Sequence, residues 1–253
     1  MKALLSTLAL ACSFAAYAQT PLTVAHEAIL REDYAQALRI YTEEAERGDA
    51  RAKHNLAQLY LEGMGVDKDR ARAISLLEQA AQELPASQYQ LGTLLLYGEN
   101  GLTNHEAAAM QAHNTPPQAE RERGIALIRA AAERGEAAAE GEMARIYQGG
   151  MGVEADGEQV VHWLQKGVAR GSADAMYELG MLYLYGMQKL PMDCNKAIHW
   201  LQEAGKAGDW AGYGEISRRF ADGHCLPQNA QEARIWEMIA TYFLRRQSDG
   251  QTP

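Results

Sequence analysis

The chain has 253 residues, 47% of them hydrophobic, and its 33 acidic residues outweigh 24 basic ones for a formal net charge of −9. That length and apolar content can bury a continuous core. The acidic balance repels phosphate backbones and anionic lipid heads, which sets nucleic acid aside as a partner and would attract a basic protein instead. Only 7 prolines, with frequent Ala, Leu, Glu and Gln, favour helix, and no alternating apolar segment bounded by turn residues competes.

The chain opens with Lys2, an almost wholly apolar or small run from Ala3 to Ala16, and Ala16-Tyr17-Ala18 before Gln19. This is the layout of a secretory signal peptide with a small-x-small cleavage site. The run is shorter than the ~20 residues needed to span a bilayer. The expectation is a signal peptide over 1–18, a mature chain from about Gln19, a periplasmic location and no stable membrane insertion. Cys12 offers a second route, lipid attachment as an outer-membrane lipoprotein, although Ala9-Leu10-Ala11-Cys12 departs from the usual Leu-small-small-Cys order.

A half-unit follows, Tyr34…Ala37-Leu38…Tyr41…Ala45…Gly48-Asp49-Ala50, placed to cap a repeat array. Then one phrase recurs: Leu56-Ala57…Tyr60…Gly63, Leu91-Gly92…Leu95…Gly98, Met143-Ala144…Tyr147…Gly150, Leu179-Gly180…Tyr183…Gly186 and Ile216-Ser217…Phe220…Gly223. The glycines are spaced by 35, 52, 36 and 37 residues, so a unit of about 36 residues repeats, with an insertion in the second copy. A second phrase keeps register behind the first: Ala73…Leu76…Ala80-Ala81, Gly124…Leu127…Ala131-Ala132, Val160…Trp163…Gly167-Val168, Ala197…Trp200…Ala204-Gly205 and Ala233…Trp236…Ala240-Thr241. Steps of three, seven and eight lie on one helical face, and small residues let helices approach closely. Each repeat is therefore read as a hairpin, helix A then helix B. In the insertion, residues 99–118, Asn104 can cap a short helix over 105–112 that Pro116-Pro117 stops. The polar residues 247–253 read as a disordered tail.

The combined pattern resembles the Sel-one-like repeat, a subclass of the tetratricopeptide-like repeats, over roughly residues 22–241. The stretch Ala175-Met-Tyr177-Glu-Leu179-Gly180-Met-Leu-Tyr183-Leu-Tyr-Gly186 is similar to that family's helix A, and Gly63-Met-Gly65-Val66, echoed by Gly150-Met-Gly152-Val153, to its inter-helix turn. The resemblance implies an all-α fold, a right-handed α–α superhelix (solenoid of helix hairpins). It also implies a binding surface on the concave face, lined by the A helices, at exposed positions two before the anchor and two, five and six after it. Here these are His54, Gln58, Leu61 and Glu62; Tyr89, Thr93, Leu96 and Tyr97; Arg145 and Gln148; Tyr177, Met181, Leu184 and Tyr185; Arg218 and Asp222. The partner-binding set is taken as His54, Gln58, Tyr89, Leu96, Tyr97, Arg145, Tyr177, Met181, Leu184, Tyr185 and Arg218, since aromatic and apolar residues on such a surface suit protein binding. Tyr89 and Tyr177 also fit a family consensus position at which they would pack between neighbouring helices.

Cys194 precedes helix B of the fourth repeat and Cys225 lies in the turn of the fifth. In an oxidising compartment a disulfide between them is the first expectation, closing a loop of about 30 residues for about 2–4 kcal/mol. Two free buried thiols come next, and last a metal site with His224, which lacks further ligands at fixed spacing. The seven histidines form no metal-ligand pattern, and no nucleophile elbow, P-loop or dinucleotide fingerprint is present. No catalytic, cofactor or metal residues are expected.

The expected function is an exported protein-binding adaptor or scaffold. The alternative is a periplasmic immunity protein that neutralises a secreted effector such as a type VI lipase, since exported members of the resembled class occur beside such effectors. Binding or cleavage of β-lactams, described for a few members with a Cys pair in each repeat, is disfavoured by the one pair here.

Overall fold

The computed structural model describes residues 20–98 and 116–248. The expected signal peptide and the insertion helix over 105–112 lie outside the described residues. Among the described residues twelve helices form, and the β structure is one isolated bridge between Met187 and Leu190. The fold class is all-α. The helices are α1 (Pro21–Leu30), α2 (Tyr34–Glu46), α3 (Ala50–Glu62), α4 (Arg70–Ala80), α5 (Pro85–Tyr97), α6 (Gln118–Glu133), α7 (Ala137–Gly149), α8 (Gly157–Ala169), α9 (Ala173–Tyr185), α10 (Cys194–Lys206), α11 (Ala211–Asp222) and α12 (Ala230–Ser248). The last runs two residues into the stretch read as tail, and residues 249–253 lie outside the described residues. The chain divides into two compact units, residues 1–76 and 77–253.

In the first unit, α1 and α2 pack as the capping hairpin and α3 follows against α2. Pro21 takes the first turn of α1, where its missing N–H is harmless, and Asp33 and Asp49 cap α2 and α3 by accepting from the Gln36 and Ala52 backbone N–H groups. Gly63 ends α3 at φ +72, and Gly65 turns again at φ +70 with its α-carbon so near α2 that a Cβ would lie 2.7 Å from the Tyr34 Cβ. A side chain at Gly65 would be strained twice, by backbone and by contact.

In the second unit, successive helices from α5 to α12 pack pairwise, each A helix on its own B helix and, from α7 on, also on the preceding one. The same hairpin closure recurs with the aromatic of the A phrase. The carbonyls of Tyr147, Tyr183 and Phe220 accept from the backbone N–H of Asp156, Asp193 and Asn229, which in turn cap α8, α10 and α12. In the first unit Tyr60 and Asp69 repeat this pairing. A core cluster runs from Leu96 through Met143, Trp163 and Leu179 to Ala197, and a second joins Leu201, Trp210, Tyr213, Ile216 and Ala240.

The B phrase needs one adjustment. In three repeats Leu77, Ile128 and Leu201, one residue after the expected large positions, are the deepest side chains, while Leu76, Leu127 and Trp200 are only half-buried; in the third repeat the expected Trp163 is itself buried, together with Leu164. Steps of four, seven and eight from Gly124 or Ala197 define a narrower stripe than steps of three, seven and eight do, and every residue on it is buried.

Candidate functional site

The residue before each A-helix anchor is polar in every repeat: Asn55, Gln90, Glu142, Glu178 and Glu215. In the second unit Gln90, Glu142 and Glu215 are buried. Burying a carboxylate is costly without partners, and here the partners come from the aromatic and basic positions of the A helices. The Tyr97 hydroxyl donates to Glu142 across from α5 to α7, and the Arg145 guanidinium lies 3.4 Å from the other oxygen. Glu215 is held by Arg218 at 2.5 Å and Arg219 at 2.8 Å. Burial, followed by the Glu142 charge, raises the Tyr97 and Tyr89 phenols above their ordinary range, so both remain neutral.

Between these two clusters lies a half-open cleft of about 440 Å³. Gln148 of α7, Val160 and Leu164 of α8, and Tyr177, Glu178, Met181, Leu182 and Tyr185 of α9 line it, with Gly186 and Met187 at its end. Four of the α9 residues follow from helical spacing, because positions 177, 178, 181 and 185 share one face. Tyr185 is 60% exposed and stacks on His224 at 6.3 Å between ring centres. The loop carrying His224 is fastened by the Cys194–Cys225 disulfide, with the two α-carbons 5.1 Å apart. Glu178 itself is exposed to solvent, and its partial enclosure by the cleft walls raises its carboxyl above the usual range, with Arg145 opposing and Asp174 adding to the shift. Among the described residues no group of three or more His, Cys, Asp or Glu side chains could hold a metal ion.

The expected partner-binding set separates on inspection. Tyr177, Met181 and Tyr185 line the cleft, and Arg145 and Arg218 are exposed beside it on the A helices. Tyr89 and Tyr97 are half-buried around Glu142, with the Tyr97 hydroxyl spent internally. His54 and Gln58 are half-buried in the first unit. Leu96 and Leu184, expected at the surface, are buried core residues. Both belong to repeats whose A helix exits through a glycine with extended ψ, Gly98 and Gly186, rather than the left-handed turn of Gly63, Gly150 and Gly223. After Gly186 the bridged Met187–Leu190 turn packs on the cluster that contains Leu184. Leu96 meets α6 where Gly124 comes so close that a Cβ there would lie 2.9 Å from the Leu96 nitrogen. Glu142, Glu178 and Glu215 were missed by the surface rule, and the recurring polar residue before each anchor is the signal that marks them.

A protein-family profile described as "Sel1 repeat" matches residues 50–83, 85–110, 137–172, 173–209 and 212–236. Chitin synthase regulatory factor 3 of Schizosaccharomyces pombe is 23% identical over 215 residues, 81% of this chain, and the chain spans about a fifth of its length (21%). Among solved structures, a Sel1 repeat protein from Oxalobacter formigenes shares 20% identity with a TM-score of 0.69, covering 87% of this chain and 84% of that one. The structure of c5321, described as a protective antigen of uropathogenic Escherichia coli with an SLR fold, shares 25% identity with a TM-score of 0.62. It covers 87% of this chain, which spans 44% of that one. No helix among the described residues is long and apolar enough to cross a membrane.

Proposed function

Because the chain belongs to the Sel1 repeat family, we propose that it is an exported adaptor or scaffold that holds a protein partner on its A helices and carries no chemistry of its own. The observation that carries this reading is the α7–α9 cleft: Tyr185 stands largely exposed at its rim, with Tyr177 and Met181 on the same helical face. A tyrosine offers a large apolar area with a polar tip at low entropic cost, which is why such residues anchor interfaces. Export is supported by the segment over 1–18 and by a disulfide of the kind that persists in oxidising compartments.

Affinity capture from extracts of the cells that express the protein tests this reading. The wild-type chain is expected to retain a discrete partner, and the Met181→Ala/Tyr185→Ala variant to retain at least about tenfold less, as loss of hot-spot residues predicts. Equal recovery by both would sink the cleft as the docking site. A secreted toxic effector among the retained proteins would assign the immunity role, and an envelope assembly component the scaffold role.

A further inference from the structure

Three carboxylates share the register position before an anchor in the second unit: Glu142 and Glu215 are buried, whereas Glu178 is exposed to solvent. Glu142 is paired with Tyr97 and Arg145, and Glu215 with Arg218 and Arg219. Glu178 lines the cleft, and among the described residues no hydrogen bond or ion pair engages it. The cation facing it, Arg145, is already paired with Glu142. This carboxylate is exposed to solvent among Tyr177, Met181, Leu182 and Tyr185, open to a ligand cation with which it would form a charge-assisted hydrogen bond. Elsewhere in this unit aromatic rings receive cations: Lys196 lies 4.9 Å over Tyr183 and Lys166 4.3 Å over Trp163. The overall charge of −9 draws the same kind of ligand.

We propose that the cleft is a subsite for a Lys or Arg side chain carried beside an apolar residue on a partner segment. The cation pairs with Glu178 against the Tyr177 or Tyr185 ring, and the apolar neighbour rests on Met181, Val160 and Leu164. This rests on the docking role proposed above and adds the chemistry that the cleft selects.

Fluorescence anisotropy with short labelled peptides tests it, using Leu-Arg pairs in a Gly/Ser background against the same peptide with Leu-Gln or Leu-Glu. The wild-type chain is expected to bind the Leu-Arg peptide at least about tenfold more tightly than Leu-Gln, and Leu-Glu weakest. Glu178→Gln, nearly isosteric, is expected to erase the preference for Arg while keeping the affinity for Leu-Gln and an unchanged thermal midpoint. No binding of any peptide, no preference for Arg, or a preference that survives Glu178→Gln would each overturn the proposal. The docking role fails separately. Cellular partners retained by Glu178→Gln but lost by Met181→Ala/Tyr185→Ala would leave docking in place and remove the cationic subsite.

Discussion

Glu142 is fully buried, and its tolerance depends on a hydroxyl 45 residues away in sequence. Removing one partner of a buried charged hydrogen bond leaves the other stranded, which costs more than the bond's net worth. Tyr97→Phe is therefore expected to lower stability by about 1–3 kcal/mol, read as a lower urea midpoint at unchanged slope. Tyr185→Phe, at the equivalent position in its repeat, is expected to change stability by less than about 0.5 kcal/mol, because that ring is 60% exposed and among the described residues no hydrogen bond engages its hydroxyl. Equal midpoints for the two variants would contradict the role given to the Tyr97 hydroxyl. The pair also shows where sequence reading stops. Tyr97 and Tyr185 both follow their anchors by six residues and look alike, and what separates them is the neighbour each meets in the next repeat.

At the scale of helices, α11 carries two glycines with opposite roles. A Cβ on Gly212 would lie 2.2 Å from the Leu201 carbonyl oxygen of α10, whereas one on Gly214 meets nothing within 4 Å. Gly212→Ala must push the two helices apart and is expected to cost about 1–3 kcal/mol, as overpacking does. Gly214→Ala removes a flexible residue from a helix interior and is expected to gain about 0.5–1 kcal/mol. Thermal midpoints moving in opposite directions would confirm both, and a shared direction would mean that the close α10–α11 approach does not hold. Helix existence and pairing were legible because five phrases repeat in register, and each carries its stop glycine and, in four repeats, a B-helix cap at Asp69, Asp156, Asp193 or Asn229. Burial of Leu96 and Leu184 was not, since it follows from how the chain leaves the A helix. A glycine reads the same in sequence whether its ψ is left-handed or extended. The disulfide was legible because register places both cysteines on one edge of adjacent repeats, and there the structure joins them.

At the scale of the whole molecule, two electrostatic effects act on a basic partner and can be told apart by salt and by kinetics. The charge of −9 is spread over the surface and acts across solvent, so it is screened once the Debye length falls to about 10 Å near 0.1 M salt. Its main effect is on the association rate. Glu178 acts only at contact with a ligand cation in the cleft, at a separation well inside the Debye length, so its effect falls on dissociation. Raising NaCl from about 50 to about 300 mM is therefore expected to slow association of the Leu-Arg peptide several-fold, for wild type and Glu178→Gln alike. Glu178→Gln is expected to speed dissociation about tenfold at both salt concentrations, the same factor as its loss in affinity. Stopped-flow anisotropy on the two proteins gives both rates. If Glu178→Gln slowed association and left dissociation unchanged, the carboxylate would be acting as one more surface charge, and the preference for Arg would belong to the molecule's overall field instead of the cleft.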